Sequence, residues 1–583
     1  NLAHDMGWVD LSEVQHEPVA SLYLVVLAAA EPSPLKAQSD EEEGKKEEKK
    51  SEAKKDKGQE EKQDAGAAKP MRIDLPGIGG RILALPLPTR SYVRLRAGEN
   101  KLYYAELVKR RRSDTEVDQS LVLSAYDLEK REPEVLASDI ASFALSADGK
   151  KMLYRQKRDW FLVDAAKVEP GKGRLDTQGI QVYREPRSEW RQILRDAWRI
   201  ERDYFYDPGM HGQDWQAVWE RYEAFLPYVS HRDDLNYLIG QMIGELSVGH
   251  AYRGGGERPR VKQTPVGLLG ADIGVRDNRF YLKKIYRGES WNPELRSPLS
   301  EPGSRVEEGS YLLAVDGRDL DPGENFYSYF LAAAGRQVRL LVNDKPQRAG
   351  AREVTVVPVD SEGELRFREQ IEENRRRVDR LSQGRLGYVY LPDTAVDGYT
   401  FFNRYYFSQL QKQGMVLDER FNGGGYAADY IIDLLRRPLM NYWLGRWGAL
   451  GRTPQAANFG PKAMLINEYA GSGGDAMPYY FKQQKIGPLV GKRTWGGLVG
   501  ITGYPPLMDG GYVTAPSVSF VDPDGRFTVE NEGVAPDIEV EWTPAAVIAG
   551  GDPQLEKAVA WLLAELERNP AKKFKPEPFP RGR

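Results

Sequence analysis

No cysteine occurs among the 583 residues. Disulfide scaffolds, thiolate zinc sites and cysteine nucleophiles are therefore excluded, while the redox compartment stays open. Histidine is scarce as well, with five in the whole chain, so an imidazole base has few candidates. Charge of one sign is also missing: 82 Lys and Arg interleave with 86 Asp and Glu, for a net charge of −4. That pattern offers no clustered basic surface for nucleic acid. Long apolar runs are absent too. The longest, Ala20 to Ala30, falls far below the roughly 20 residues that span a bilayer, and its acidic and proline-rich flanks lack the basic residues of a signal peptide. The expectation is a cytoplasmic protein without nucleic-acid or membrane partners. Export of a longer precursor stays open, because the chain begins at Asn1.

What is present divides into several domains, as the length suggests at roughly 150 residues per domain. Residues 1–170 carry short alternating strands between turns, and Phe143 to Tyr154 reads as strand, Asp-Gly turn, strand. Such spacing suits partial β-propeller blades. The stretch 38–69 is almost wholly Asp, Glu, Lys, Gln, Ser, Gly and Ala, too polar to offset the entropy of ordering, and reads as a disordered charged insertion. From 185 to 258 the apolar spacing turns helical, through Trp190, Ile193, Leu194 and Trp198. A compact β module follows over 260–360. Its loop Gly267-Leu268-Leu269-Gly270 and its later Asp316-Gly317 turn resemble PDZ domains, which bind extended chain ends through a loop of backbone N–H groups. Residues 365–545 alternate strands with helices, predicting an α/β layered domain. A C-terminal helix and tail occupy 546–583.

Three segments carry chemistry. In Ala463 to Asp475 a buried strand runs into a glycine turn that holds Ser472 at a helix start. A hydroxyl there gains from the free N–H groups and partial positive charge of the helix N-terminus, which suits a nucleophile for acyl transfer. It equally suits a plain helix N-cap. Asn422 to Gly425 forms a second glycine turn after a strand. It lacks the Lys-Ser/Thr of a phosphate loop, and reads better as a second source of oxyanion donors, because glycine lets the backbone approach closely. Among the histidines, His4 and His16 lie near the chain start, His211 in a turn, and His231 before two aspartates. His250, just past a glycine at a helix-to-strand junction, is the best candidate base.

The order of these segments resembles the tricorn core protease family, relatives of the C-terminal processing peptidases. The likeness rests on Asp203 to Trp215, Gly249 to Tyr252, Asp418 to Gly425, Asn467 to Asp475, Arg493 to Gly497 and Val529 to Ile538. It implies a multidomain architecture of partial propeller, helical subdomain, PDZ-like module and ClpP/crotonase-like α/β domain, truncated at its N-terminus. It further implies Ser472 as nucleophile, His250 as general base and Glu530 rather than Glu532 as the acid on the histidine side. The oxyanion hole would use the N–H groups of Gly473 and Gly425, with Gly424 second. Oligopeptide substrates, a homo-oligomer, commonly a hexamer, and no metal or organic cofactor complete the expectation. Two positions depart from the family pattern. Gly249 stands where a second serine is expected, so the relay to Glu530 falls to Ser247 or water. Gly473 replaces an acid after the nucleophile. The rival readings are a catalytically decayed propeller–PDZ scaffold and a crotonase-type acyl-CoA hydrolase or isomerase.

Overall fold

The computed structural model describes residues 19–35, 71–111 and 117–578, apart from 99, 167, 170, 260, 290, 291, 293, 294, 305, 449 and 571–573. The charged insertion expected at 38–69 lies outside the described residues. The chain forms two compact units, meeting in sequence near residue 182.

The first unit is antiparallel β. Strands β1 (Tyr23–Val25) and β2 (Ile82–Ala84) pair with each other. Strands β3 (Tyr92–Ala97), β4 (Lys101–Arg111), β5 (Val117–Asp127), β6 (Glu132–Leu145), β7 (Lys151–Gln156) and β8 (Asp159–Asp164) follow one another in a six-stranded meander. The hairpin expected around Asp148-Gly149 is β6–β7, with Phe143 opposite Tyr154. Its core gathers Tyr103, Leu123, Phe143, Met152 and Phe161.

The second unit opens with α1 (Pro186–Tyr204), α2 (Trp215–Glu223) and α3 (Arg232–Gly244). The amphipathic stripe of α1 buries Ile193, Leu194, Ala197 and Trp198, and Asp214 caps α2 through the N–H groups of Gln216 and Ala217. One boundary differs from the expectation. Leu507, Val513 and Ala515, placed by sequence in the α/β domain, complete this helical core. Strand β9 (Arg253–Gly254) accordingly pairs with β22 (Tyr512–Val513), which ties the segment carrying His250 to the 507–515 stretch.

The PDZ-like module is a six-stranded antiparallel sheet. Its path runs β10 (Ala271–Arg276), β11 (Arg279–Ile285), β12 (Tyr311–Val315), β14 (Val338–Asn343), β15 (Arg352–Val356), with β13 (Arg318–Asp319) on β12. The expected ligand loop is already filled from within. The N–H of Gly267 donates to the Phe330 carbonyl (2.9 Å) and that of Leu268 to the Val359 carbonyl (2.7 Å). The N–H groups of Gly270 and Ala271 donate to the Glu362 carboxylate, at 2.7 and 3.2 Å. Of the positions Gly267, Leu268, Leu269 and Gly270 expected to bind a chain end, two donate to main-chain carbonyls and Gly270 to an internal carboxylate.

Helix α4 (Gly363–Leu381) leads into five parallel strands ordered β16 (Leu386–Tyr390), β17 (Gly414–Asp418), β20 (Lys462–Ile466), β21 (Leu489–Gly491) and β23 (Ile538–Glu539). Between them run α5 (Val396–Phe407), α6 (Ala428–Leu435), the hairpin β18 (Asn441–Leu444) and β19 (Leu450–Thr453), and α7 (Gly473–Gln483). Helices α8 (Pro544–Ile548) and α9 (Pro553–Arg568) close the fold. Every residue of β17 and β20 is buried, as parallel strands covered on both faces require. Both glycine turns therefore leave the carboxyl ends of adjacent strands, where open parallel sheets place their ligands.

Candidate active site

The Ser472 turn is held by its backbone. Ser472 has φ 58° and ψ −116°, a conformation that side chains other than glycine rarely adopt and that marks a sharp strand-to-helix turn. Asp475 maintains it. Its carboxylate accepts from the N–H groups of Ser472 (2.9 Å), Gly496 (2.8 Å) and Gly497 (3.0 Å) and from the Thr494 hydroxyl. The Asp475 N–H donates to the Ser472 carbonyl (2.9 Å). This reciprocal cap leaves the serine side chain to line a cavity of about 440 Å³. Burial raises the Asp475 carboxyl above its usual range, while these donors hold it down.

His250, Gly425, Ser472 and Gly473 line that same cavity. The Gly425 and Gly473 N–H groups enter no hydrogen bond among the described residues. They also lie close together, since a Cβ built on Gly473 would stand 2.7 Å from the Gly425 nitrogen. Gly424 differs: its N–H is taken by the Asn422 side chain (2.9 Å). Its contribution is space, because a Cβ there would come within 2.7 Å of the Ser472 Cβ, at φ 89°. Gly425 is thus the available donor of the pair.

His250 is framed by two rings, Tyr252 and Trp495, each edge-on with centroids 5.5 Å away. The Thr514 hydroxyl donates to its carbonyl (2.6 Å). Neither ring nitrogen makes a hydrogen bond of normal geometry. Burial lowers the imidazole below its ordinary 6.5, with the Glu530 charge and the Gly497 carbonyl acting the other way. A neutral ring, able to accept a proton, is the resting form at neutral pH.

Glu530 acts on this histidine through its charge and bonds to the main chain next to it. Its carboxylate accepts from the N–H groups of Gly249 (2.6 Å), Leu498 (2.7 Å) and Val499 (3.0 Å). Neighbouring Val529 and Asn531 both have positive φ, 74° and 61°, and this kinked segment aims the carboxylate inward. A side chain at Gly249 would meet Glu530 Oε1 at 3.0 Å, so glycine there opens a direct carboxylate-to-backbone bond. Ser247, the expected relay, is exposed; its carbonyl instead accepts from the Asn531 side chain (2.8 Å). His211 proves structural: its ring nitrogens meet the Leu246 carbonyl (2.9 Å) and the Tyr206 hydroxyl (2.5 Å).

Sequence reasoning gave no role to Asp475, Thr494, Trp495 or Thr394. The first three lay inside segments that carry the family likeness, and Asp475 had a further signal, an acid three residues after a serine at a helix start, the spacing of a capping box. Thr394 stands in a loop remote in the chain and carried none.

The combination of helical subdomain, PDZ module and S41-type α/β domain defines the class, and each part matches separately. Residues 186–244 match the tricorn protease C1 domain, 267–361 the tricorn protease PDZ domain and 385–540 peptidase family S41. Tricorn protease homolog 1 of Streptomyces coelicolor is 34% identical over 566 residues, covering 94% of this chain and 52% of that protein. Tricorn protease of Thermoplasma acidophilum is 31% identical over 446 residues, 76% of this chain and 41% of that one. The crystal structure of the tricorn protease superposes with a TM-score of 0.77 at 27% identity, over 94% of this chain and 51% of that chain. This chain belongs to the tricorn protease family. It spans about half the length of the curated relatives it matches. No helix among the described residues is long and apolar enough to cross a membrane.

Proposed function

We propose that this chain is a serine peptidase that hydrolyses oligopeptides through an acyl-enzyme on Ser472. The observation that carries the reading is the meeting of Ser472, His250 and two unengaged backbone N–H groups around one cavity. His250, neutral at rest, takes the Ser472 proton as the hydroxyl attacks a peptide carbonyl. The Gly425 and Gly473 N–H groups receive the negative charge that develops on the carbonyl oxygen. The C–N bond breaks as the histidine returns its proton to the leaving amine, and water then hydrolyses the ester. Glu530 acts through the Gly249 peptide and through its charge: it anchors the histidine loop and stabilises the imidazolium that forms.

Two observations bear on the rival readings. The PDZ-like loop is occupied by Glu362, which speaks against a scaffold that captures chain ends there. A hydroxyl and an imidazole on one cavity supply the nucleophile and base of an acyl-enzyme route, which supports covalent catalysis over the crotonase-type reading. A homo-oligomer, hexameric by family likeness, belongs to the same proposal. The test is digestion of a peptide library by the wild type and by Ser472→Ala, read by mass spectrometry, with fluorophosphonate labelling of intact protein. Cleavage and an adduct that both vanish in Ser472→Ala support the reading. Identical product patterns from the two proteins refute it.

A further inference from the structure

Against the two free N–H groups lies a buried hydroxyl that this mechanism does not use. Thr394 is fully buried, and its Oγ1 has no hydrogen-bond partner. It stands in the loop between β16 and α5, whose backbone holds the Asn422–Gly425 turn. The Thr394 N–H donates to the Gly424 carbonyl (2.9 Å), the Ala427 N–H donates to the Thr394 carbonyl (2.6 Å), and the Gly423 N–H donates to the Pro392 carbonyl (2.9 Å). A Cβ at Gly425 would come within 2.3 Å of that same Thr394 carbonyl oxygen.

The side chain reaches the other donor. A Cβ built on Gly473 would fall 1.9 Å from Thr394 Oγ1, so the threonine hydroxyl fills the volume of a side chain at position 473. This accounts for glycine, instead of an acid, after Ser472. Packing alone does not account for the hydroxyl. A buried polar atom without a partner is costly, and Thr394 Oγ1 is such an atom.

We propose that Thr394 is a positioning residue of the oxyanion hole, with a hydroxyl unpartnered at rest that becomes engaged when the Gly425 and Gly473 peptide units settle on a reacting carbonyl. The inference rests on the peptidase reading above. Stability is given up at rest for order in the transition state.

Thr394→Val keeps the branched shape and removes the hydroxyl, while Thr394→Ser keeps the hydroxyl. The expected result is a Val variant with unchanged or higher melting temperature, kcat lower by about tenfold or more, and KM within about threefold. Ser retains kcat within about threefold, and Thr394→Ala, also without a hydroxyl, loses kcat as Val does. A Val variant with kcat within about twofold of wild type overturns the inference, as does a joint fall of melting temperature and kcat, the signature of packing alone. A wild type that turns over beside an unaffected Val variant removes this inference only. A wild type with neither turnover nor fluorophosphonate adduct removes the peptidase reading with it.

Discussion

Replacing Glu201 by methionine should stabilise the helical domain, and by an amount that grows with pH. Glu201 lies on the inner stripe of α1, in register with Leu194, Ala197 and Trp198, and is fully inaccessible to solvent. Neither carboxyl oxygen has a hydrogen-bond partner. Burial alone pushes its carboxyl up to about 8, from an ordinary 4.5. The folded protein therefore holds a proton there that the unfolded chain has released, so stability falls as pH rises from about 4.5 and levels off above about 8. At 1.36 kcal/mol per pH unit, the climb to about 8 corresponds to ~5 kcal/mol lost relative to an apolar residue at alkaline pH. Methionine, unbranched and a good helix former, fits the site with little strain. Urea unfolding of wild type and Glu201→Met, followed by tryptophan fluorescence from pH 5 to 9, should show curves that diverge by about 1.4 kcal/mol per unit up to pH 8 and run parallel beyond it. Parallel curves throughout would refute the reasoning, since they would mean that the carboxyl ionises freely in the folded state.

Other outcomes follow from the active-site geometry. Because His250 is lowered below 6.5 by burial, the acid limb of kcat/KM should fall below pH 6.5, and His250→Ala should cost several orders of magnitude in kcat with folding intact; a limb above 6.5 would assign it to another group. Gly473→Ala, whose Cβ would strike Thr394 Oγ1 at 1.9 Å and the Gly425 carbonyl oxygen at 2.3 Å, should lower kcat by about 10²–10³-fold; turnover near wild type would remove Gly473 from the oxyanion hole. Asp475→Ala strands the buried N–H groups of Ser472, Gly496 and Gly497, and should destabilise the domain by about 3–5 kcal/mol in urea titrations while abolishing fluorophosphonate labelling. Glu362→Ala should free the Gly270 and Ala271 N–H groups and confer measurable binding of a peptide C-terminus by fluorescence anisotropy, which the wild type lacks; equal binding by both proteins would show that Glu362 does not occlude the loop.

Some features were legible because they depend on local pattern. The helical period of α1, the all-apolar strands β17 and β20 and the hairpin at Asp148-Gly149 follow from side-chain spacing and turn chemistry, which act between near neighbours in the chain. Ser472 and the Asn422–Gly425 turn were readable for the same reason, since a strand, a glycine turn and a helix follow one another without interruption. The placement of residues 507–515 was not, because apolar residues in a loop carry no label for the core they join. Nor was the filling of the Gly267–Gly270 loop, as Glu362 is an ordinary acid until folding brings it 92 residues back to the Gly270 N–H.

By itself the sequence determined the elements, their order and the residue types able to attack, accept a proton and donate to an oxyanion. Tertiary structure alone decided which of those groups are free. Gly424 and Gly425 are adjacent and chemically identical, yet Asn422 occupies the N–H of the first and leaves that of the second open. Glu530 engages three main-chain N–H groups instead of a serine, and the Asp475 carboxylate holds the Ser472 turn through the Ser472 N–H. A hydrogen bond saturates its donor and depends on distance and angle, quantities that exist only once remote segments have packed together.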